Sequence, residues 1–308
     1  MISKPGARLR ELMAQRCVAM PGAFNALCAR AIERAGFEAV YISGAGLSNA
    51  VFSLPDVGLT TLSEATRHAK TICNAVEIPV LADADTGFGE AVNVARTVME
   101  MEQTGLAGIH LEDQVLPKKC GHLDGKEVVP CDAMVQKVRA AVAARRDKSF
   151  VLVARTDART IEGFDHALDR AKRYLDAGAD AIFPEALESP QEFAAFAEQL
   201  RGIGPTSAPG RPPLLLANMT EFGKSPLLST SELSDMGYRM VIFPQTALRV
   251  AYGAIWHMLQ DLKRVGHQRD WINRMQTRAE LYELLDYDEL KAIDDAASGV
   301  RREPVSSK

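Results

Sequence analysis

The stretch LDAGADAIFPEA, residues 175–186, ends a helix-like run, turns on Gly178, continues as an apolar run and finishes on a carboxylate, Glu185. Glycine suits that turn because the residue just past a helix end takes the left-handed conformation, which lacks a steric penalty only for glycine. The same order recurs in ERAGFEAVYI (33–42), EQTGLAGIHL (102–111) and SDMGYRMVIF (234–243), with Gly36, Gly105 and Gly237 at the turn. A helix stop followed two or three residues later by a strand start is the joint of a βα repeat.

Outward from these joints, eight short apolar runs can be counted: CVAMP from 17, AVYISG from 39, PVLADAD from 79, AGIHLED from 107, FVLVARTD from 150, AIFPEA from 181, PLLLANM from 213 and MVIFPQ from 240. They are near-continuous rather than alternating, as parallel strands covered on both faces are. Amphipathic stretches such as AVNVARTVMEMEQTG, DAMVQKVRAAVAARR and FDHALDRAKRYLDAG lie between them. Eight such units predict an α/β fold of the (β/α)8 TIM-barrel type. A doubly wound sheet is the alternative, and it more often carries G-x-G-x-x-G after its first strand; none follows residue 17 or 39.

The C-terminal stretch is longer than one covering helix requires. Its apolar residues Trp271, Met275, Leu281, Tyr282 and Leu285 need a surface to cover them. The expected organisation is one barrel domain over 1–308, with extra helices at 270–298 and a flexible tail at 299–308. The Gly/Pro-rich RGIGPTSAPGRPP (201–213) reads as a surface loop before the seventh strand.

With 308 residues, 47% hydrophobic and 25% charged, the composition is that of an ordinary globular enzyme. The net charge of −4 comes without a basic stripe, which argues against nucleic acid. No apolar run reaches membrane-spanning length and no secretory apolar segment opens the chain, so a cytoplasmic location is expected. Five cysteines, Cys17, Cys28, Cys73, Cys120 and Cys131, show no C-x-x-C pair, against a disulfide framework or zinc site.

Polar residues gather at the carboxyl ends of the runs: Ser43, Asp83 and Asp85, Glu112 and Asp113, Arg155, Glu185 and Asn218. In a barrel that end carries the active site. The strand period of two puts Asp83 and Asp85 on one side, and with Glu112 from the next strand they form an all-oxygen set suited to Mg²⁺ or Mn²⁺. The alternative is that one aspartate caps the next helix and the other pairs with Arg155. Arg155, Arg249 and Arg278 are candidate carboxylate clamps, being bidentate and always charged. In LPKKCGHLDGK (116–126), Cys120 lies among Lys118, Lys119 and His122, surroundings that are expected to lower a thiol pKa. Tyr41 is a candidate base, or a packing residue before a strand end.

Ten segments together resemble the isocitrate lyase and phosphoenolpyruvate mutase superfamily over almost the whole chain: YISGAG, LPDVGLTTL, DADTGFG, NVARTV, GIHLEDQ, KKCGH, ARTDA, FPEA, NMTEFGKSPL and MQTRAELYELLDY. Within it the methylisocitrate-cleaving branch is most similar. The resemblance implies Mg²⁺-dependent, retro-aldol-type cleavage of 2-methylisocitrate to succinate and pyruvate in propionate catabolism. It implies that Asp83 and Asp85 bind the metal with Glu112 in its water shell, and that Cys120 protonates the succinate carbanion. Ser43, Gly44 and Ala45 would hold a substrate carboxylate; Gly121, Arg155, Glu185, Asn218, Met219, Thr220, Arg249 and Arg278 would line the pocket. It further implies a helix exchanged between barrels in a dimer, with dimers paired into a homotetramer. That branch usually reads KRCGH and SGGG, whereas this chain has Lys119 and Ala45 at the differing positions. Sibling lyases acting on isocitrate or 2,3-dimethylmalate, and oxaloacetate-cleaving hydrolases, share the expected metal site and barrel.

Overall fold

The computed structural model describes residues 4–123, 125–204 and 213–298. The expected tail at 299–308 and most of the loop at 201–213 lie outside these. Among the described residues eight strands form one parallel sheet: β1 Val18–Pro21, β2 Val40–Ile42, β3 Val80–Asp83, β4 Gly108–Glu112, β5 Val151–Thr156, β6 Ala181–Pro184, β7 Leu214–Asn218 and β8 Met240–Phe243. Each of the eight apolar runs is a strand. Their order, β1-β8-β7-β6-β5-β4-β3-β2, leaves β1 and β2 at the ends, and a parallel bridge of Gly22 with Tyr41 closes the ring between them. This is the (β/α)8 barrel. The four joint glycines have φ of 89°, 95°, 105° and 101° for Gly36, Gly105, Gly178 and Gly237, the left-handed turn that their repeat predicted.

The period of two divides the strand side chains between two apolar layers. Tyr41, Leu81, Val151, Val153, Ala181, Phe183, Leu216, Met240 and Ile242 pack together as the inner layer. Their neighbours, among them Ile42, Ala82, Ile109, Leu111, Leu152, Ala154, Ile182, Ala217 and Val241, pack outward against the helices. Leu9 and Met13 of the helix Pro5–Gln15 join the inner layer, and Arg10 Nε donates to Ser149 O at 2.7 Å, so this helix stands at the amino end of the strands. With that end plugged by apolar side chains, only the carboxyl end is left to hold polar groups.

The chain divides into two compact units, the first running to Val250 and the second starting at Ala251. The first holds the whole barrel. The second contains most of the helix Thr246–Val265, a 3₁₀ turn at Arg269–Arg274, and the helices Arg278–Leu284 and Tyr287–Ser298. Its apolar side chains are poorly covered: Met275, Tyr282, Leu285, Leu290 and Ile293 are all exposed, Ile293 to 67%.

Candidate active site

Extending the inner parity along each strand brings Asp83, Glu112, Arg155, Glu185 and Asn218 to the inside at the carboxyl end. The register agrees: Asp83 lies opposite His110, and Glu112 opposite Arg155. Asp83 accepts from Gly44 N at 3.2 Å and from Asp85 N at 2.9 Å. Asp85 does not continue the strand. β3 stops at Asp83, and Asp85 has φ of 46°, so a tight left-handed turn rather than strand alternation swings its carboxylate to the same side. Neither aspartate caps the next helix or pairs with Arg155. Asp85 lies 2.7 Å from the ammonium of Lys118, which also reaches Asp56 at 2.5 Å.

Glu112 is buried, and neither of its oxygens has a hydrogen bond. Arg155 Nη1 lies 3.2 Å from Oε2, close enough to attract but not aligned to bond. Burial pushes the Glu112 carboxyl well above its usual range; Arg155 and Lys118 pull it down, and Asp157 and Asp83 oppose them. Burial also pushes Asp85 up, to about 6, against Lys118 and with help from Asp83 and Asp56. Asp83 is held low despite burial, by His110, Lys118 and Arg155.

Arg155 is fully engaged. Its Nε and Nη2 donate to Asp157 at 2.9 and 3.1 Å, Nη2 lies 3.5 Å from Glu185, and its guanidinium stands 5.2 Å from the centre of the Phe183 ring. Glu185 is buried, faces His122 Nε2 at 2.9 Å, and accepts from Asn218 Nδ2 at 3.2 and 3.3 Å. Burial would raise its carboxyl, but Arg155 and His122 hold it well below the carboxylate range.

Lys118 links Asp56 and Asp85, Arg155 links Glu112, Asp157 and Glu185, Lys126 joins Asp157, and Asp83 accepts from the Asp85 backbone. That crowding of carboxyl groups, with two bare Glu112 oxygens in it, fits a hard divalent cation. Among the described residues no three acids or histidines converge as a ready-made ligand shell. Mg²⁺ needs none, since it commonly keeps several waters and takes one or two protein carboxylates.

Cys120 overturns the expectation of a lowered pKa. The thiol is raised above its ordinary 9.0, first by burial; a backbone hydrogen bond at His122 and Arg155 pull it down, and Glu185 and Asp56 push it up. The three neighbouring basic side chains are engaged elsewhere: Lys118 by Asp56 and Asp85, Lys119 Nζ by Gly125 O at 2.5 Å, and His122 by Glu185. The thiol therefore keeps its proton at neutral pH.

The other expected residues separate into groups. Ser43 is buried and accepts from Gln245 Nε2 at 3.2 Å. Gly44 lies so close to the acids that a Cβ there would meet Asp83 Oδ2 at 2.9 Å. Ala45 follows it in the short helical turn Gly44–Gly46. A Cβ on Gly121 would stand 2.5 Å from Glu185 Cγ and 2.6 Å from Arg155 Nη2, so only glycine brings the Cys120 loop onto that pair. Thr220 is buried beyond the end of β7.

Met219 is a correction. Its parity is outward, its side chain packs in the outer layer, and its sulfur accepts from Leu228 N at 3.1 Å, so it offers no side chain to the pocket. Tyr41 lies in the inner layer with its hydroxyl 2.7 Å from His110 Nε2, and burial together with Asp83 raises it well above its ordinary value. Arg249 donates to Glu221 O at 3.0 Å and stacks 5.1 Å from the Phe222 ring centre, on the loop after β7. Arg278 belongs to the second unit, where it is exposed and opens the helix Arg278–Leu284.

Sequence reading missed Asp56, His110, Gln114, Lys126, Asp157 and Gln245 as parts of the site. For His110 and Asp157 a signal existed, since each is two residues from a residue already singled out, Glu112 and Arg155.

An acidic, arginine-bridged centre beside a cysteine loop, built at the carboxyl ends of eight parallel strands, defines a (β/α)8-barrel enzyme. The family model described as phosphoenolpyruvate phosphomutase matches residues 9–263, and the chain belongs to that family. Relatives from 42% to 54% identical are named 2-methylisocitrate lyase. One of them, from Corynebacterium glutamicum and described as probable 2-methylisocitrate lyase 2, is 54% identical over 92% of this chain and 88% of its own length. The crystal structure of 2,3-dimethylmalate lyase superposes with a TM-score of 0.87 at 35% identity, covering 97% of each chain. Phosphonopyruvate hydrolase, solved with oxalate and Mg²⁺, gives 0.81 at 29% identity, covering 96% of this chain and 98% of its own.

Proposed function

We propose that this chain is a 2-methylisocitrate lyase: it cleaves the bond between the hydroxyl-bearing carbon and its neighbour, releasing pyruvate and succinate. The observation that carries this reading is geometric: Gly121 brings the Cys120 loop against Arg155 and Glu185, beside Glu112 and the Asp83–Asp85 turn at the carboxyl end of the barrel. Breaking the bond turns the hydroxyl-bearing carbon into the ketone of pyruvate, its O–H proton passing to a base, and leaves an electron pair on the carbon next to a carboxylate, where a thiol that already holds a proton can deliver it.

Asp83 and Asp85, with Glu112 behind them, are the residues that would hold Mg²⁺, a reading supported by the two bare oxygens of the buried Glu112; phosphonopyruvate hydrolase, a structural neighbour, was solved with Mg²⁺. When bound, the cation polarises the substrate's oxygens and spreads the developing enolate charge. Ser43, whose hydroxyl accepts from Gln245 and keeps its own proton to donate, binds a substrate carboxylate, with Gly44 leaving room beside Asp83. Arg155, already placed by Asp157, offers fixed positive charge to the developing anion without reorganising. Glu185, Asn218 and Thr220 shape and orient the pocket wall. A cytoplasmic role in propionate breakdown fits this chemistry, and among the described residues no helix is long and apolar enough to cross a membrane.

A succinate-release assay with 2-methylisocitrate and isocitrate side by side tests the assignment. A pocket that accommodates the extra methyl group favours the methylated substrate by about 1 to 3 kcal/mol, roughly 10- to 200-fold in kcat/KM. Equal or better kcat/KM with isocitrate would replace the assignment by that of a sibling lyase.

The assembly we propose is a homotetramer of helix-exchanged dimers, supported by the uncovered apolar side chains of the second unit. Light scattering should show a tetramer, and removal of residues from 270 onward should abolish both assembly and turnover. A fully active monomer would refute it.

A further inference from the structure

We infer that Gln114 and Lys126 are the positioning residues of the proton donor, pinning the backbone on either side of Cys120. The inference rests on the reading of Cys120 as the acid. The loop bearing Cys120 leaves β4 and returns to it: Val115 N donates to Glu127 O at 2.9 Å, Val129 N donates to Asp113 O at 2.8 Å, and Gln114 bridges Val128 in antiparallel pairing. Those bonds hold only the base of the loop.

Nearer the thiol, two buried side chains from the base reach up to its neighbours. The Gln114 amide pairs with the backbone of Lys119 at both ends, donating from Nε2 to Lys119 O at 2.8 Å and accepting Lys119 N on Oε1 at 2.9 Å. A backbone residue offers one donor and one acceptor, so only one orientation of the amide satisfies both. On the other side of the thiol, Lys126 Nζ donates to Gly121 O and, at 2.9 Å, to Asp157 Oδ1. The lysine is buried, and Asp157 is the carboxylate that holds the Arg155 fork. One ammonium therefore sets the distance between the loop and the arginine. Gly121 is the residue whose missing side chain permits that approach.

A proton donor moved by an ångström costs about 10²-fold in rate, whereas substrate held by other residues binds nearly as before. Lys126→Met and Gln114→Met each keep the approximate length of the side chain and remove its donors. Each should lower kcat by about 10²-fold while KM changes little. Iodoacetamide labelling, followed by mass spectrometry of each cysteine peptide, gives a readout independent of turnover. In both variants Cys120 should be alkylated several-fold faster than in the parent enzyme, with Cys17, Cys28, Cys73 and Cys131 unchanged. An unaltered Cys120 rate would overturn the assignment. Acceleration at all five cysteines would overturn it too, because the side chains would then be holding the barrel rather than the loop. If Cys120 labelling responds but Cys120→Ser retains full kcat, the clamp stands and the proton-donor reading falls.

Discussion

Replacing Cys120 by serine is expected to lower kcat by about 10²- to 10⁴-fold, the range carried by one general acid, with KM moved far less. The protonation state of the thiol sets this effect. A thiolate in this position would be a base and a nucleophile, but burial and the carboxylates of Glu185 and Asp56 keep the thiol above its ordinary 9.0. At neutral pH the group therefore arrives at the reaction with its proton, and no earlier step has to load it. A serine hydroxyl is similar in shape but a far weaker acid, so it would hold its proton when the carbanion forms. The raised pKa also sets the pH profile. Activity should be flat through neutrality with respect to this group and should fall only above about pH 9, as the thiol ionises. Loss of activity near pH 7 that vanishes in Cys120→Ser would contradict the protonated thiol, and a serine variant with parental kcat would remove Cys120 from the chemistry.

The direction of that pKa also shows where sequence reading stopped being sufficient. Lys118, Lys119 and His122 are neighbours of Cys120 in the chain, and by proximity alone they favour a thiolate. Folding brings Asp56 and Asp85 to Lys118 and Glu185 to His122, partners 62, 33 and 63 positions away in sequence, and the local positive charge is absorbed. The eight strands were legible because each is a short apolar run closed by a glycine or a polar end, a local property. So were Asp83, Glu112, Arg155, Glu185 and Asn218, since parity along a strand fixes their side once the barrel is recognised. Met219, one residue past the end of β7, was misread because parity was not carried to it. Asp85 was placed correctly for the wrong reason: its side is set by a left-handed turn and not by alternation. Gln114 and Lys126 left no sequence signal, because their partners are backbone atoms of a loop whose path only tertiary structure defines.

Stripping divalent cations with EDTA is expected to abolish turnover, Mg²⁺ to restore it, and Asp85→Asn to remain inactive at metal concentrations that saturate the parent. The amide loses both the charge and the stronger oxygen donor, so its effect on metal affinity should exceed the about 10- to 100-fold carried by outer-shell partners. Stability should move the other way, which separates loss of metal from loss of fold. The Asp85 carboxyl is pushed up to about 6 from its ordinary 3.8. The native state then holds a proton that the unfolded chain has already released, so this group's contribution is present below the lower value and is lost as pH rises through the upper one. At pH 7 the ionised carboxylate is thus unfavourable in the metal-free protein, and the neutral amide of Asp85→Asn should leave Tm unchanged or higher. Added Mg²⁺ should raise the Tm of the parent, since binding to the native state alone stabilises it, and should raise that of Asp85→Asn far less. Full turnover in metal-free enzyme would refute the carboxylate site. An equal Mg²⁺-induced rise in Tm for the parent and Asp85→Asn would place the cation elsewhere in the barrel mouth.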